Sequence, residues 1–260
     1  MARVEIRAMG PEDEYFVSTC SHVNESEEID ACGRSRAEWM RRRQEEGMRV
    51  QVGLVEGEPV GFSYVMPIEV SPWGPLGRDL MVLPCLWVLP KGQGKGVGRA
   101  LMEAAEEEAR RQSSKGLVAV AYYHDTWFMP AGFFEKTGFE LAGAEGKQGI
   151  LWKRFGASAE APSFLSPRYE FEPVGGKVVV DLFWNTFCET SFLEAQRVKE
   201  VAADFGEAVV LNEYCADDHE VLVKHQIPRA IFIDGKEIGW GYEAPKEGVA
   251  EAIEKARAGG

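Results

Sequence analysis

The glycine-rich segment of this chain reads Pro90-Lys91-Gly92-Gln93-Gly94-Lys95-Gly96-Val97-Gly98-Arg99-Ala100-Leu101. An apolar run from Met81 to Leu89 precedes it, and a helical pattern from Ala100 to Arg111 follows it. This order predicts a strand, a tight turn and a helix N-terminus. Glycine lets the backbone turn sharply and approach a ligand closely. Because the first N–H groups of a helix favour an anion, the segment is predicted to bind a group such as a pyrophosphate.

The spacing of the glycines separates the possible anion-binding loops. A Walker loop requires Gly-Lys-Ser or Gly-Lys-Thr, and neither follows here. The dinucleotide fingerprint G-x-G-x-x-G fails in every register, because Val97, Arg99 or Leu101 stands where the third glycine is required. The pattern Gln-x-x-Gly-x-Gly does fit, beginning at Gln93. The segment therefore resembles the pyrophosphate loop of the GNAT acetyltransferases.

A second segment carries the same resemblance. The sequence Ala131-Gly132-Phe133-Phe134-Glu135-Lys136-Thr137-Gly138-Phe139 is similar to the family segment A-x-x-F-Y-x-x-x-G-F, the helix beside the acetyl thioester. The resemblance covers roughly residues 3 to 154 and implies acetyl-CoA as co-substrate, with its pantetheine arm paired to the strand before the loop. The cofactor-binding residues that it implies are Leu86, Trp87, Val88, Gln93, Gly94, Lys95, Gly96, Val97, Gly98, Arg99, Phe133 and Phe134.

The composition disfavours nucleic acid and membrane as partners. The 260 residues carry a formal net charge of −13, whereas nucleic-acid binding requires a basic face. The same charge disfavours an anionic membrane surface, and no apolar run reaches membrane-spanning length. The five cysteines stand at irregular spacings, which favours reduced thiols and a cytoplasmic protein. Cys20, His22 and Cys32 match no zinc signature, so no metal site is predicted.

The sequence predicts an α/β protein of two domains. A GNAT-type mixed sheet with flanking helices is expected at 1–155, and a smaller thioredoxin-like α/β domain at 169–260. The segment 156–168 is predicted to be a linker, because it contains small residues and prolines and lacks periodicity. Elements expected around the site are a helix from Ala37 to Glu46, a strand from Pro59 to Val70 and an unbroken strand from Asp79 to Val88.

The second domain places a cysteine at the start of a helix. A strand from Lys177 to Trp184 leads to Cys188 and an amphipathic helix, and Pro228 opens a later strand. This layout resembles thioredoxin-like domains, and the whole chain resembles proteins with a YoaP-like C-terminal domain. The resemblance implies a cis peptide bond before Pro228, facing Cys188. A helix N-terminus favours the thiolate, but Ser191 occupies the position of the second cysteine, so a dithiol cycle would need Cys215.

Acetyl transfer needs a base for the amine and assistance for the leaving thiolate. The tyrosine that relatives often use as general acid falls at Phe134, which cannot donate a proton. Tyr123, at the end of the next strand, is a candidate to replace it or a packing residue. Glu69 and His124 are candidate bases, and each also fits a structural role.

The sequence therefore predicts an acetyl-CoA-dependent N-acetyltransferase in which an amine attacks the thioester directly. The acceptor is a small-molecule or peptide amine whose identity stays open, as does formation of a homodimer. The dipeptides Trp73-Gly74 and Trp127-Phe128 offer apolar surface for an acceptor cleft or for the core. The alternative is a thiol-redox or mixed-disulfide protein that uses Cys188, with a first domain that senses coenzyme A.

Overall fold

The computed structural model describes residues 3–124 and 128–259. They form two compact units. The first comprises the described residues up to Val23 together with Ala37–Leu165, and the second comprises Asn24–Arg36 and the described residues from Ser166 onward. The predicted fold class, a mixed α/β sheet with flanking helices followed by a second sheet, is confirmed. None of the helices in the described part of the chain combines the length and apolarity needed to cross a bilayer.

The first unit is built on an eight-stranded sheet. Its strands are β1 (Val4–Ala8), β2 (Arg49–Val55), β3 (Glu58–Pro67), β4 (Met81–Val82), β5 (Leu86–Val88), β6 (Gly116–Tyr122), β7 (Glu140–Glu145) and β8 (Gln148–Arg154). Its helices are α1 (Glu14–Ser18), the later part of α2 (Glu27–Glu45), α3 (Val97–Arg111) and α4 (Ala131–Lys136). The strand order is β1-β2-β3-β4-β6-β8-β7, with β5 paired to β3. Strands β4 and β6 run parallel, and the other pairs along this order run antiparallel.

Helix α3 buries one apolar face against this sheet. Its buried residues Val97, Leu101, Met102, Ala105 and Ala109 recur at helical spacing, as the sequence pattern predicts. At the helix N-terminus, Val97 and Leu101 pack with residues of β1 and β5. This packing fixes the glycine-rich loop directly beside β5.

Two predicted strands are shorter than expected. The prediction of a single strand from Asp79 to Val88 is wrong, because residues 83–85 separate β4 from β5. Pro84, in the middle of this break, has no N–H group to donate to a neighbouring strand. The strand expected to reach Val70 ends at Pro67, so Glu69 lies in a single 3₁₀ turn.

Helix α2 begins earlier than the prediction of Ala37. It starts at Glu27, where the Ser26 hydroxyl accepts a hydrogen bond from the N–H of Ile29 at 3.2 Å. Acidic residues in its first turn interact favourably with the positive end of the helix dipole. The prediction missed this start because the polar opening of the helix lacks an apolar stripe.

The second unit contains a four-stranded sheet and three complete helices. Its strands are β9 (Val178–Trp184), β10 (Val209–Cys215), β11 (Ala230–Ile233) and β12 (Lys236–Ile238). Its helices are α5 (Glu189–Asp204), α6 (His219–His225) and α7 (Lys246–Gly259). The order is β10-β9-β11-β12, with β9 parallel to β10 and antiparallel to β11. Val180, Leu182, Val198, Ile231 and Ile253 belong to its core.

The linker predicted at 156–168 has defined partners inside each unit. Ser163 forms an isolated bridge with Leu76 in the first unit. In the second unit, the N–H of Ser166 donates to Oε1 of Gln226 at 2.8 Å. These residues are therefore held by the units that they join.

The peptide bond before Pro228 is trans, so the predicted cis bond is wrong. Within the described ranges the cis bond is Gly74–Pro75. Trans is the more stable isomer of an X-Pro bond by about 0.5–1 kcal/mol. The Pro228 carbonyl accepts a hydrogen bond from Nδ2 of Asn185 at 2.9 Å.

Candidate active site

A cleft of about 320 Å³ opens between β5, the glycine-rich loop and α4. Its lining residues are Leu86, Trp87, Val88, Gly92, Gln93, Gly94, Gly96, Val97, Gly98, Arg99, Met129, Pro130, Phe133 and Phe134. The structure thus brings together the residues singled out for cofactor binding, apart from Lys95. Sequence reasoning missed Gly92, Met129 and Pro130. Their positions in the sequence could have indicated them, since Gly92 belongs to the glycine-rich segment and the other two directly precede α4.

The loop presents free backbone N–H groups to this cleft. Gly94 and Gly96 have φ angles of 71° and 89°, a left-handed conformation that favours glycine. Gly96 caps α3, and the first bond within the helix runs from the N–H of Ala100 to the Gly96 carbonyl. The N–H groups of Val97 and Gly98 therefore have no acceptor within the helix. Together with the helix dipole they favour an anion at this end.

Strand β5 offers an unpaired edge beside the loop. It pairs with β3 on one side, and no strand in the described part of the chain pairs with its other side. The Cys85 carbonyl and the Leu89 N–H bond to β3, so by alternation the peptide groups of Leu86 and Val88 point away from it. An extended, amide-bearing ligand can add to such an edge as a further strand would.

Two cations beside the loop have no carboxylate partner among the described residues. Lys95 and Arg99 are exposed and take part in none of the ion pairs found among the described residues. Lys91, earlier in the same segment, differs because its ammonium lies 3.3 Å from the Glu58 carboxylate. Positive charge is therefore available at the entrance of the cleft.

Two phenylalanines of α4 have different roles. Phe134 is 1% exposed and packs edge-on against Phe133 and Phe139, with ring centroids 5.2 and 5.4 Å apart. A Cβ atom added at Gly98 would lie 3.8 Å from the Phe133 ring. Phe134 anchors the helix in the core, and Phe133 forms the apolar wall facing the start of α3.

Residues 46–141 match the family model of the acetyltransferase (GNAT) domain. This segment runs from the end of α2 to the start of β7 and contains the whole cleft. These residues are therefore similar to a GNAT acetyltransferase domain, and the prediction of an acyltransferase is confirmed.

Solved acetyltransferases resemble part of the chain. The PaiA N-acetyltransferase of Thermoplasma acidophilum, in complex with coenzyme A, is 16% identical, with a TM-score of 0.43 over 59% of this chain and 99% of its own. The ribosomal-protein-alanine N-acetyltransferase of Brucella melitensis is 21% identical, with a TM-score of 0.44 over 58% and 99%. A GNAT acetyltransferase of the same organism, in complex with acetyl-CoA, is 18% identical, with a TM-score of 0.41 over 62% and 94%.

Other comparisons add no further function. No curated protein sequence matches the chain significantly. No comparison supports the thiol-redox alternative or confirms the thioredoxin-like resemblance, which stays a prediction.

The predicted catalytic residues of the GNAT domain do not line the cleft within the described ranges. Oε1 of Glu69 accepts a hydrogen bond from the N–H of Asp79 at 2.6 Å. The Tyr123 hydroxyl donates to Oε1 of Glu135 at 2.7 Å, and this bond raises the pKa of Tyr123. Both groups are thus engaged outside the cleft.

His124 is connected to the wall of the cleft through Tyr122. Its ring stacks on that of Tyr122, with centroids 5.1 Å apart. The Tyr122 N–H donates to the carbonyl of Met129, a lining residue, at 2.9 Å. Trp127, predicted as acceptor-cleft or core surface, lies outside the described residues, and Phe128 packs against the core of the first unit.

Cys188 lies in the second unit, at the N-cap of α5. Its N–H donates to Oδ1 of Asn185 at 2.9 Å, and the N–H of Asn185 donates to Oγ of Ser191 at 3.0 Å. Burial, with the nearby charge of Asp217, raises the pKa of Cys215 to about 12, which opposes its use as a resolving thiolate. A role for Cys188 in catalysis stays a prediction.

Proposed function

We propose that this protein is an acetyl-CoA-dependent N-acetyltransferase. The observation that carries the proposal is the cleft in which a glycine-rich helix N-terminus lies beside an unpaired strand edge. The first feature suits a pyrophosphate and the second suits an amide-bearing arm, and coenzyme A contains both. The match of residues 46–141 to the GNAT domain supports the same ligand.

The cleft residues would divide the binding of acetyl-CoA between them. The N–H groups at the start of α3 would hold the pyrophosphate, with the side chains of Lys95 and Arg99 adding positive charge. The peptide groups of Leu86 and the N–H of Val88 would pair with the pantetheine arm, since the Val88 carbonyl accepts the hydrogen bond from Gln93. Phe133 would cover this arm from the side of α4. Acetyl-CoA supplies the activated acyl group.

The chemical step is direct attack by an amine. The amine nitrogen forms a bond to the thioester carbonyl carbon, the carbon–sulfur bond breaks, and coenzyme A leaves as the thiolate. We assign His124 as the group that takes the amine proton, because its partner Tyr122 is joined to the cleft wall at Met129. Tyr123 is held by Glu135, so no general acid is assigned, and positioning of the reactants supplies part of the rate.

We also propose a thioredoxin-like architecture for the second unit and a cytoplasmic location. The passage from β9 to Cys188 at the N-cap of α5, and the strand β11 after Pro228, support that architecture. The trans bond before Pro228 is a departure from it. None of the five cysteines forms a disulfide within the described residues, which supports the location.

The test is transfer to a fixed mixture of primary amines. The protein is incubated with acetyl-CoA and ethanolamine, 2-phenylethylamine, spermidine and trialanine, and acetylated products are identified by mass spectrometry. We expect at least one acetylated amine from the wild-type protein and none from Gly96→Glu. Gly57→Glu is the matched control, because Gly57 shares the left-handed conformation (φ 84°) in the turn between β2 and β3. Absence of product from the wild-type protein would refute the proposed acceptor class.

A further inference from the structure

Trp87 of β5 faces away from α3. Its neighbours Leu86 and Val88 pack with Val97 and Leu101 of α3. Successive side chains of a strand point to opposite faces, so the indole of Trp87 lies on the face away from α3. Its cross-strand partner Phe62 agrees with this, since the Phe62 ring packs edge-on against Phe16 of α1 at 5.8 Å.

The indole of Trp87 is tied to the turn that follows α1. Its Nε1–H donates a hydrogen bond to Oγ of Ser21 at 3.2 Å. Ser21 and the preceding Cys20 have φ angles of 71° and 48°, a left-handed conformation that residues with a side chain rarely adopt. A turn of this kind persists only where its surroundings hold it, and the Trp87 indole is one such contact.

The position of Trp87 indicates which way the acceptor enters. On one face of the sheet, α3 and the glycine-rich loop occupy the space beside β5. An amine must then approach the strand edge from the other face, where Trp87 and the turn at Ser21 lie. This step rests on the proposed function, because it takes acetyl-CoA to occupy the cleft.

We propose that Ser21 is a positioning residue for the transfer reaction. Its hydroxyl fixes the Trp87 indole at the mouth of the cleft on the α1 side of the sheet, where the amine enters. Ser21 contributes to the use of the amine and not to the binding of acetyl-CoA. The structure thus separates the two substrates between the two faces of one strand.

The test compares variants that remove the bond from each side. Ser21→Gly deletes the hydroxyl and also relieves the left-handed backbone, so it is expected to fold. Trp87→Phe keeps an aromatic ring and deletes the donor. Each is expected to lower kcat/KM for the amine about fivefold, as loss of one hydrogen bond would. Ser21→Gly should keep the dissociation constant of acetyl-CoA within about twofold of wild type, whereas Trp87→Phe is compared by kcat/KM alone, because Trp87 lines the acetyl-CoA cleft. The double variant should lose no more than either single variant.

Two further variants separate positioning from a general structural effect. Ser21→Asn supplies an acceptor oxygen and tolerates the left-handed conformation, so it should restore most of kcat/KM. Ser18→Ala removes a hydroxyl from α1 that donates to the Tyr15 carbonyl. It should leave the dissociation constant of acetyl-CoA and kcat/KM for the amine unchanged.

The measurements use acetyl-CoA calorimetry and the amine mixture described above. Unchanged rates in Ser21→Gly and Trp87→Phe would overturn the proposal, as would additive losses in the double variant. A loss of acetyl-CoA affinity in Ser21→Gly as large as its loss of kcat/KM would overturn it too. Failure of the wild-type protein to bind acetyl-CoA would instead refute the proposed function, and the role of Ser21 would fall with it.

Discussion

The side-chain amide of Gln93 donates a hydrogen bond to the carbonyl oxygen of Val88 at 3.1 Å. The bond joins the last residue of β5 to the glycine-rich loop. Because the Val88 peptide group faces away from β3, the bond lies on the side of the strand that borders the cleft. The strand edge and the anion-binding loop are thus held as one preorganised surface.

Removal of the Gln93 side chain should weaken the binding of acetyl-CoA. Gln93→Ala leaves the loop untied, and we expect the dissociation constant to rise about fivefold, the effect of one lost hydrogen bond. Gln93→Glu should raise the dissociation constant further, because a carboxylate cannot donate to Val88 and adds negative charge beside the pyrophosphate. Calorimetric titration measures both, and tighter binding by Gln93→Glu than by Gln93→Ala would contradict this account.

The two unpartnered cations of the loop should contribute to affinity in a salt-dependent way. Lys95→Ala and Arg99→Ala are each expected to weaken acetyl-CoA binding about two- to fivefold at low ionic strength, and less at high salt. Lys91→Ala is the matched control, because its ammonium already pairs with Glu58. A larger loss for Lys91→Ala than for the other two would show that the anion is bound elsewhere.

Replacement of His124 should slow transfer without loss of acetyl-CoA affinity. Removal of a general base costs about 10²-fold or more in rate, so His124→Gln is expected to lower kcat for the amine to that extent. The loss should diminish at high pH, where more of the amine is already neutral. Glu69→Gln is measured beside it, and a larger fall in kcat for Glu69→Gln would reverse the assignment.

The second unit should lose stability in alkali through Cys215. Burial raises the pKa of this thiol from its ordinary 9.0 to about 12 in the folded state. A raised pKa favours the protonated folded form, so the associated stability is present below about pH 9 and is lost as the pH rises towards about 12. In urea unfolding over this pH interval, the free energy of unfolding should fall less steeply for Cys215→Ala than for wild type. It should still fall in the variant, because Tyr169 also has a raised pKa from burial and its bond to Asp181. Equal slopes would contradict the assignment.

The cleft could be predicted from sequence because its determinants are local. Gln93, Gly96 and Gly98 lie within one short segment, and the apolar spacing of α3 is regular from Val97 to Ala109. Helix α4 likewise followed from the short segment that ends at Gly138. Each of these inferences depends on residues a few positions apart.

Features that depend on distant residues could not be predicted. The bond from Trp87 to Ser21 spans 66 positions, and no periodicity indicates it. The early start of α2 is local but was also missed, because Ser26 and acidic residues mark it rather than an apolar stripe. Glu69 looked like the end of a strand, but β3 stops at Pro67 and the carboxylate turns to the N–H of Asp79.

The most direct test of the account is calorimetric titration of acetyl-CoA into the wild-type protein, Gly96→Glu and Gly57→Glu. Gly96→Glu places a carboxylate at the cap of α3, whereas Gly57→Glu imposes the same left-handed strain in the turn between β2 and β3, outside the lining of the cleft. We predict binding by the wild-type protein and by Gly57→Glu, and none by Gly96→Glu. Absence of binding by the wild-type protein, or undiminished binding by Gly96→Glu, would contradict the assignment of this loop as the coenzyme A site.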